Sequence, residues 1–257
     1  MSVGSTELTK AATLKRYVVV GGEAELALLL HIFPEGVEEL DGAFAVYADE
    51  PPLGFDVVDA TDVPHGWEDR WRDFHHGVTI GRFWVVPPWE LPKAVPASSP
   101  LQAIVIDPGR AFGTGAHPTT RLTLELLQTL DPGSLLDVGC GSGVLSIAAA
   151  MLGFDPVLGV DLDEAAVEAT LANARANAVT VDARLADALN EELPHVDVAL
   201  ANVALDVVER LLQRLSAERV VTSGYLDRDR PEVAGWTHVD RATAAGWAAD
   251  VFARELS

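Results

Sequence analysis

Apolar and polar residues alternate most regularly in the larger, C-terminal part of the chain. From residue 101 onward, short apolar runs of strand length alternate with segments whose apolar residues recur every three or four positions. Uninterrupted apolar runs are typical of strands that are buried on both faces of a parallel sheet. The pattern predicts strands at 101–106, 135–138, 157–160, 179–183, 196–201, 219–223, 236–242 and 247–254, and helices at 120–130, 144–152, 164–177 and 205–215. We therefore expect an α/β fold with a doubly wound, mostly parallel, Rossmann-like sheet whose last strands can pair antiparallel.

The first hundred residues predict a smaller unit followed by a linker. Strands are expected at 14–20, 42–48 and 55–60 and an amphipathic helix at 23–33, which together make a small α+β unit. A proline-rich stretch then ends at residue 100 and disfavours regular helix and central strand. The predicted division is an N-terminal α+β domain at 1–62, a linker at 63–100 and a second domain at 101–257. Trp67 and Trp71 would lie on one face of a short helix in this linker, where we interpret them as packing residues.

Charge and composition narrow the possible partners and locations. The chain carries 39 acidic and 18 basic residues, a net charge of −21 that repels nucleic-acid backbones and anionic membrane surfaces. Such a surface favours a basic protein partner, although genome composition or a salty habitat can produce the same excess. No apolar run reaches the roughly 20 residues that span a bilayer, and the opening residues lack a secretory signal, so a cytoplasmic location is expected. The single cysteine excludes a zinc site built from cysteines.

The most informative segment has the sequence LDVGCGSGVL and begins at residue 136. A strand runs here into a glycine-rich turn and then a helix, which lets the backbone approach a ligand at the carboxyl end of the strand. The dinucleotide-binding fingerprint G-x-G-x-x-G would place its third glycine at position 144, where this chain has valine. Here the glycines are Gly139, Gly141 and Gly143. This spacing, preceded by Asp137, resembles that of S-adenosylmethionine-dependent methyltransferases, with Gly139 and Gly141 as candidate cofactor contacts. A nicotinamide-dependent oxidoreductase is the less favoured alternative.

Three acidic residues after the predicted strands are candidates for binding an adenosine. Asp161 ends the second strand about 20 residues after the first glycine, which is the spacing expected of a carboxylate that accepts both ribose hydroxyls. Asp163 lies close by, but its position before the next helix also suits an N-cap. Asp187 follows the third strand and is a candidate for contacting the adenine amino group or, equally, a solvated loop acid.

A further glycine-rich segment, IDPGRAFGTGAHPTT, ends at Thr120. Its final threonines can cap the following helix, whose amide groups would face a carboxylate such as that of methionine. With the features above, this segment resembles the signature of the bacterial PrmA family, which methylates large-subunit ribosomal protein eleven, and the resemblance covers nearly the whole chain. It implies a class I methyltransferase fold, S-adenosylmethionine as cofactor with Thr120 among its contacts, and an N-terminal domain that captures the substrate. Because relatives with a similar loop methylate lysines of other proteins, a different protein substrate stays open.

Asn202 follows the strand predicted at 196–201 and lies at the ligand edge of the sheet. Many methyltransferases that act on planar amino groups carry two prolines and an aromatic residue after this position, whereas this chain has Val203 and Ala204. The resemblance therefore implies a tetrahedral amine, of a lysine side chain or an N-terminus, as the methyl acceptor. Asn202 would accept a hydrogen bond from its nitrogen or help to fix the cofactor, and a strand-end asparagine that caps the next helix is the structural alternative. We interpret His117 as a structural or exposed residue.

One part of the chain departs from the expected pattern. Residues 224–235 leave little room for the crossover helix that this fold usually has, so we expect a trimmed far edge of the sheet. The candidate cofactor residues lie outside this segment, but the packing of the late strands and any substrate contacts at that edge are expected to differ from the usual fold.

A non-catalytic adenosylmethionine-binding module is a further alternative. Cys140 is not expected to act as a nucleophile, because the sequence shows no ordered base beside it.

Overall fold

The computed structural model describes residues 15–33, 37–40, 42–48, 50–63, 76–91, 101–107, 115 and 117–255. The chain divides into two compact units, Met1–Phe74 and His75–Ser257. The predicted aromatic helix around Trp67 and Trp71 and the proline-rich residues 92–100 lie outside the described residues. None of the helices in the described part of the chain has the length and apolar character that a membrane crossing requires.

The first unit contains an antiparallel sheet and one helix. Its elements are β1 (Lys15–Val20), α1 (Glu23–Ile32), β2 (Glu38–Leu40), β3 (Ala43–Ala48) and β4 (Val57–Asp62). The strands pair in the order β2-β3-β1-β4. Alternate residues of the central strands pack against the helix, and the core is formed by Tyr17, Val19, Leu29, Phe44 and Val46. The predicted α+β unit is confirmed, and β2 is an additional strand that the pattern of apolar residues did not predict.

The second unit begins with a sheet of three short strands. These are β5 (Val78–Ile80), β6 (Phe83–Val86) and β7 (Gln102–Val105), with β6 antiparallel to β5 and parallel to β7. The first two lie in the segment predicted as a linker, so that interpretation is wrong for residues 78–86. The strands form because Ile80 and Phe83 are buried in the core that the larger sheet shares. The outer limits of the predicted linker, residues 63 and 100, stay a proposal.

The larger sheet has seven strands and confirms the predicted alternation of strand and helix. Its elements are α2 (Pro118–Leu127), β8 (Leu135–Val138), α3 (Val144–Leu152), β9 (Val157–Asp161), α4 (Glu164–Ala176), β10 (Asp182–Leu185), β11 (Val196–Asn202), α5 (Leu205–Leu212), β12 (Ala217–Leu226), β13 (Trp236–Ala244) and β14 (Trp247–Arg254). The strands pair in the order β10-β9-β8-β11-β12-β14-β13. The first five are parallel, and β14 runs antiparallel to both β12 and β13.

Successive strand residues point to opposite faces of this sheet, and helices cover both faces. Leu135 packs in the cluster that contains residues of α2, α3 and α4, whereas its neighbour Leu136 packs in the cluster that contains residues of α5. All four residues of β8 are buried, which explains the uninterrupted apolar run. The carboxyl ends of the five parallel strands consequently lie at one edge of the sheet, where ligands bind in this architecture.

The crossover between β12 and β13 is short, as the sequence predicts. Residues 227–235, all of them described, form turns and no helix. The crossover is therefore trimmed as expected, and the two late strands predicted at 236–242 and 247–254 are both present in the sheet. Arg241 holds the turn by donating hydrogen bonds from Nη2 to the carbonyl oxygens of Asp227 and Asp229, at 2.9 and 2.8 Å. Its Nη1 also pairs with the fully buried Asp250 at 3.1 Å.

Candidate cofactor and substrate site

The glycine-rich turn between β8 and α3 forms a tight backbone cradle at the ligand edge. The Gly139 N–H donates to the Val160 carbonyl at 2.8 Å and the Gly143 N–H donates to the Cys140 carbonyl at 2.8 Å. Gly143 has a φ of 82°, and a Cβ added there would lie 2.9 Å from the α-carbon of Thr170. The chain therefore needs glycine at residue 143, because a side chain would be strained and would collide with the α4 backbone.

Asp161 lies at the end of β9 with its carboxylate held against this turn. Oδ2 accepts a hydrogen bond from the Gly141 N–H at 3.0 Å, and Oδ1 accepts one from the Asp163 N–H at 3.0 Å. The side chain is half-buried. Asp163 instead caps α4 by accepting from the Ala165 N–H at 2.9 Å. The structure thus separates the two acids that the sequence left as alternatives and assigns the capping role to Asp163.

Asp137 is a buried carboxyl group directly beneath the turn. The pKa of this carboxyl is raised to about 6, mainly by burial and also by the nearby charge of Asp161, while hydrogen bonds from Ser146 oppose the shift. The Ser146 Oγ donates to Asp137 Oδ2 at 2.6 Å. Ionising Asp137 near neutral pH therefore costs free energy of folding.

We expect Asp137→Asn to stabilise the protein near neutral pH. A carboxyl whose pKa is higher in the folded state than in the unfolded state destabilises the fold as pH rises between the two values, here from about 4 to about 6. At about pH 7.5 the variant should gain about 1 to 3 kcal/mol in unfolding free energy, and the gain should vanish near pH 4. Urea unfolding at both pH values measures it. The control is Asp182→Asn, which removes an exposed carboxylate, and a gain that is the same at both pH values would contradict the prediction.

Thr120 and Asn202 are in contact at the carboxyl end of β11, the strand next to β8, although 82 positions separate them in the sequence. The Asn202 Nδ2 donates to the Thr120 Oγ1 at 3.4 Å, with Thr120 almost fully buried and Asn202 half-buried. Asn202 is the last residue of β11, whereas α5 is capped by Ala204. The structure therefore does not support the alternative that Asn202 serves as a helix cap.

His117 has a structural role at the start of α2. Its ring nitrogen Nδ1 caps the helix by accepting from the Thr119 N–H at 3.4 Å and lies 2.8 Å from the Thr119 Oγ1. The ring also packs edge-on against Trp247, with 4.9 Å between the centroids. Burial lowers the pKa of His117, so the imidazole is neutral at physiological pH. These contacts confirm the structural interpretation of this histidine.

Asp187 uses its carboxylate within its own loop. Oδ1 accepts from the Leu189 N–H at 2.9 Å and Oδ2 accepts from the Asn190 Nδ2 at 2.6 Å. These hydrogen bonds lower the pKa of Asp187 and shape the turn after β10. A contact between Asp187 and an adenine amino group remains a proposal.

Three further residues near this edge differ in how far they are exposed to solvent. Cys140 is buried, and burial raises the pKa of its thiol to about 12, so no nucleophilic thiolate forms. Leu162, in contrast, is 72% exposed although it is apolar and lies directly between Asp161 and Asp163. Leu185, which pairs with Asp161 in the sheet, is also exposed. Sequence reasoning missed this apolar surface, because a leucine after a strand is expected in the core until its exposure is known.

The strand order, the antiparallel strand β14 and the glycine cradle with its neighbouring acid define a class I S-adenosylmethionine-dependent methyltransferase fold. The chain belongs to the ribosomal protein L11 methyltransferase (PrmA) family, whose model matches residues 49–255. This result confirms the family resemblance inferred from the sequence.

Individual relatives agree with this assignment. A ribosomal protein L11 methyltransferase of Cupriavidus pinatubonensis is 38% identical over 210 residues, which cover 77% of this chain and 68% of that protein. One from Shewanella sediminis is 42% identical over 166 residues, covering 62% of this chain and 54% of the relative, so the chain spans only about half of that protein. The crystal structure of ribosomal protein L11 methylase from Lactobacillus delbrueckii subsp. bulgaricus matches with a TM-score of 0.61 and 27% identity, covering 70% of this chain and all of that chain.

Proposed function

We propose that the protein transfers methyl groups from S-adenosylmethionine to amine nitrogens of ribosomal protein L11, on lysine side chains, the N-terminus or both. The observation that carries the proposal is the arrangement at one sheet edge of the glycine cradle, the Asp161 carboxylate and the Thr120–Asn202 pair. The names of the relatives support the substrate. The proposal places the protein in the cytoplasm, where ribosomal proteins are made.

The residues present fit an adenosylmethionine. Each Asp161 oxygen already accepts one backbone N–H, which fixes the carboxylate and leaves each oxygen a lone pair for a ribose hydroxyl. The glycine turn, with Gly139 and Gly141 at positive φ, lets the backbone approach the ligand closely. Asp137 supplies negative charge beneath the turn, and the ligand carries a cationic amino group. When bound, the cofactor supplies a methyl group on a positively charged sulfur that an amine nitrogen can attack.

Asn202 is the residue that we propose orients the acceptor amine. Because its Nδ2 donates to Thr120, the amide is held with Oδ1 as the acceptor for an amine N–H. A carbonyl oxygen in this position would hold the nitrogen without taking a full proton, so alignment rather than strong base catalysis would drive the transfer. Thr120 would thereby act on the substrate side through Asn202 as well as contacting the cofactor.

The charge of the chain supports a basic protein as substrate. The net charge of −21 would attract a lysine-rich partner over about 8 Å at physiological salt. We propose that the N-terminal unit takes part in capturing it. Its edge strand β4 has exposed residues at 58–62, including Asp59 and Asp62, which suit contact with basic side chains. A different basic protein substrate would meet the same surface.

Leu162→Ala is expected to weaken adenosine binding without weakening the fold. The exposed leucine offers an apolar surface beside the ribose carboxylate, which suits the face of an adenine base, and truncating it should raise the Kd for adenosylhomocysteine about three- to tenfold. Stability should change by less than about 0.5 kcal/mol because the side chain is exposed. The matched control is Val239→Ala, which shortens an apolar side chain that is 59% exposed on β13. Equal affinities for both variants would contradict the assignment.

The pH dependence of methyl transfer tests the chemistry of the acceptor. A lysine ammonium must lose a proton before its nitrogen can attack, and His117 is neutral with a lowered pKa. For a lysine acceptor we therefore expect kcat/KM to rise about tenfold per pH unit between about pH 7 and pH 9, whereas for an N-terminal amine, with a pKa of about 8, the rise levels off within this range. Initial rates with purified L11 measure this slope. A profile that is flat across this range would indicate that proton loss from the acceptor does not limit the reaction.

Calorimetric titration decides between the methyltransferase and the oxidoreductase interpretations. The purified protein is titrated separately with adenosylmethionine, adenosylhomocysteine and NADH. We expect saturable binding of the first two and none of NADH. Tight NADH binding without adenosylmethionine binding would overturn the proposed function.

A further inference from the structure

Asn173, in α4, and Asn177, the residue directly after this helix, contact the backbone of β7 and of the residues that follow it. The Asn177 Oδ1 accepts from the Val105 N–H at 2.7 Å, and its Nδ2 donates to the Val105 carbonyl at 2.7 Å. One helical turn earlier, the Asn173 Oδ1 accepts from the Asp107 N–H at 3.1 Å. The spacing of four residues puts both amides on the same face of the helix.

The two side-chain amides bind the edge of β7 that faces away from β6, where no strand among the described residues pairs with it. Along β7 and its extension, the N–H groups of Gln102 and Ile106 donate to the carbonyls of Arg82 and Val86 on the β6 side. The N–H groups of Val105 and Asp107 point to the opposite edge, as alternation along a strand requires. The asparagine side chains satisfy these groups, which fixes residue 107 relative to α4.

Asn173 differs from Asn177 because it makes a second connection into the glycine turn. Its Nδ2 donates to the Ser142 carbonyl at 2.9 Å, and both residues are buried. One amide group therefore joins the Asp107 backbone to residue 142 of the cofactor cradle. The Asn177 Nδ2 instead donates to the carbonyls of Val105 and Asn173.

We propose that Asn173 is a positioning residue that couples the cofactor cradle to the backbone at residue 107. Residue 107 follows β7 and is held by the Asn173 amide, which also holds the glycine turn at Ser142. The position of residue 107 is thereby linked to the order of the turn. The inference rests on the proposed function, because it concerns how the same cofactor site is organised.

Coupling of this kind is reciprocal. If a cofactor orders the turn at Ser142, it also strengthens the hold of Asn173 on residue 107, and loss of that hold weakens cofactor binding by the same factor. Asn173→Asp keeps the acceptor for the Asp107 N–H and replaces the donor to Ser142 by a carboxylate oxygen. Asn177→Asp makes the same chemical change one turn away, without touching the glycine turn.

The two variants are compared by calorimetry with adenosylhomocysteine and by thermal melting without ligand. We expect both to melt at lower temperature than the parent protein, because each loses a backbone contact. The Kd should rise about tenfold or more for Asn173→Asp and less than about threefold for Asn177→Asp, since a donor to the turn is lost only in the first. Equal affinities of the two variants, with binding by the parent intact, would overturn this inference alone. Absence of binding by the parent would overturn the proposed function and the inference with it.

Hydrogen exchange in the parent protein gives an independent test if Asn173→Asp fails to fold. The amide of Asp107 should exchange about tenfold or more slowly when adenosylhomocysteine is bound, because ordering of the turn is transmitted through Asn173. Exchange at residues 103–107 that is unchanged by saturating ligand would overturn the coupling. Protection of the glycine turn in the same experiment reports that the ligand is bound.

Discussion

Asp161→Ala is expected to raise the Kd for adenosylmethionine at least 100-fold. The carboxylate is fixed by the Gly141 and Asp163 N–H groups and would accept both ribose hydroxyls, and hydrogen bonds to a charged group contribute about 1.5 to 3 kcal/mol each. Losing two of them corresponds to about 3 to 6 kcal/mol, or a hundredfold and more in affinity. Calorimetry with adenosylmethionine and adenosylhomocysteine measures the loss. Asp161→Asn, which keeps the shape and one acceptor oxygen, should lie between the parent and the alanine variant.

The matched control for this prediction is Asp163→Ala, only two residues away. Asp163 is exposed and caps α4, so its loss should cost about 1 kcal/mol of stability and change the Kd less than about threefold. Thermal melting of all variants separates loss of the fold from loss of the ligand contact. If the two alanine variants lose affinity equally, the assignment of the ribose to Asp161 is wrong.

Asn202→Ala is expected to lower kcat about 100-fold while the Kd for adenosylmethionine changes less than about threefold. The amide is held by Thr120 at 3.4 Å and is proposed to align the acceptor nitrogen, and a misplacement of about 1 Å can cost two orders of magnitude in rate. Single-turnover rates with saturating L11 and cofactor measure the chemical step apart from binding.

Thr120→Val serves as the companion variant, because it removes the hydroxyl that holds the Asn202 amide and keeps the size of the side chain. Its kcat should fall less than that of Asn202→Ala, about three- to tenfold, since the amide remains but is less well oriented. A fall in cofactor affinity as large as the fall in kcat for Asn202→Ala would assign this residue to cofactor binding instead of acceptor alignment.

Most of the fold follows from the spacing of apolar residues. The β8 run LLDV is buried on both faces, and α3 is a nearly continuous apolar run between Gly143 and Gly153, so both elements have the predicted bounds, Leu135–Val138 and Val144–Leu152. Strands β5 and β6 were missed because runs of three and four residues are too short to show a period, and Ile80 and Phe83 become core only through contacts with the larger sheet.

The sequence likewise predicts only some features of the candidate site. Residues defined by their position at strand ends, such as Asp161 and Asn202, could be predicted because the carboxyl ends of parallel strands converge at one edge. The separate roles of Asp161 and Asp163 could be proposed but not decided, since both follow the same strand. The contact from Asn173 to Asp107 spans 66 positions and joins a side chain to a backbone group, which no local pattern encodes. The exposure of Leu162 likewise depends on the folded surface.

The most direct test of the account is methyl transfer to ribosomal protein L11. Purified, unmethylated L11 is incubated with the protein and adenosylmethionine, and the intact mass of L11 is followed by mass spectrometry, with Asp161→Ala as the inactive control. We predict that the mass of L11 rises in steps of one methyl group, that the modified sites are amines, and that the control adds none. A protein that binds adenosylmethionine with the expected dependence on Asp161 but leaves L11 unmodified would contradict the proposed substrate.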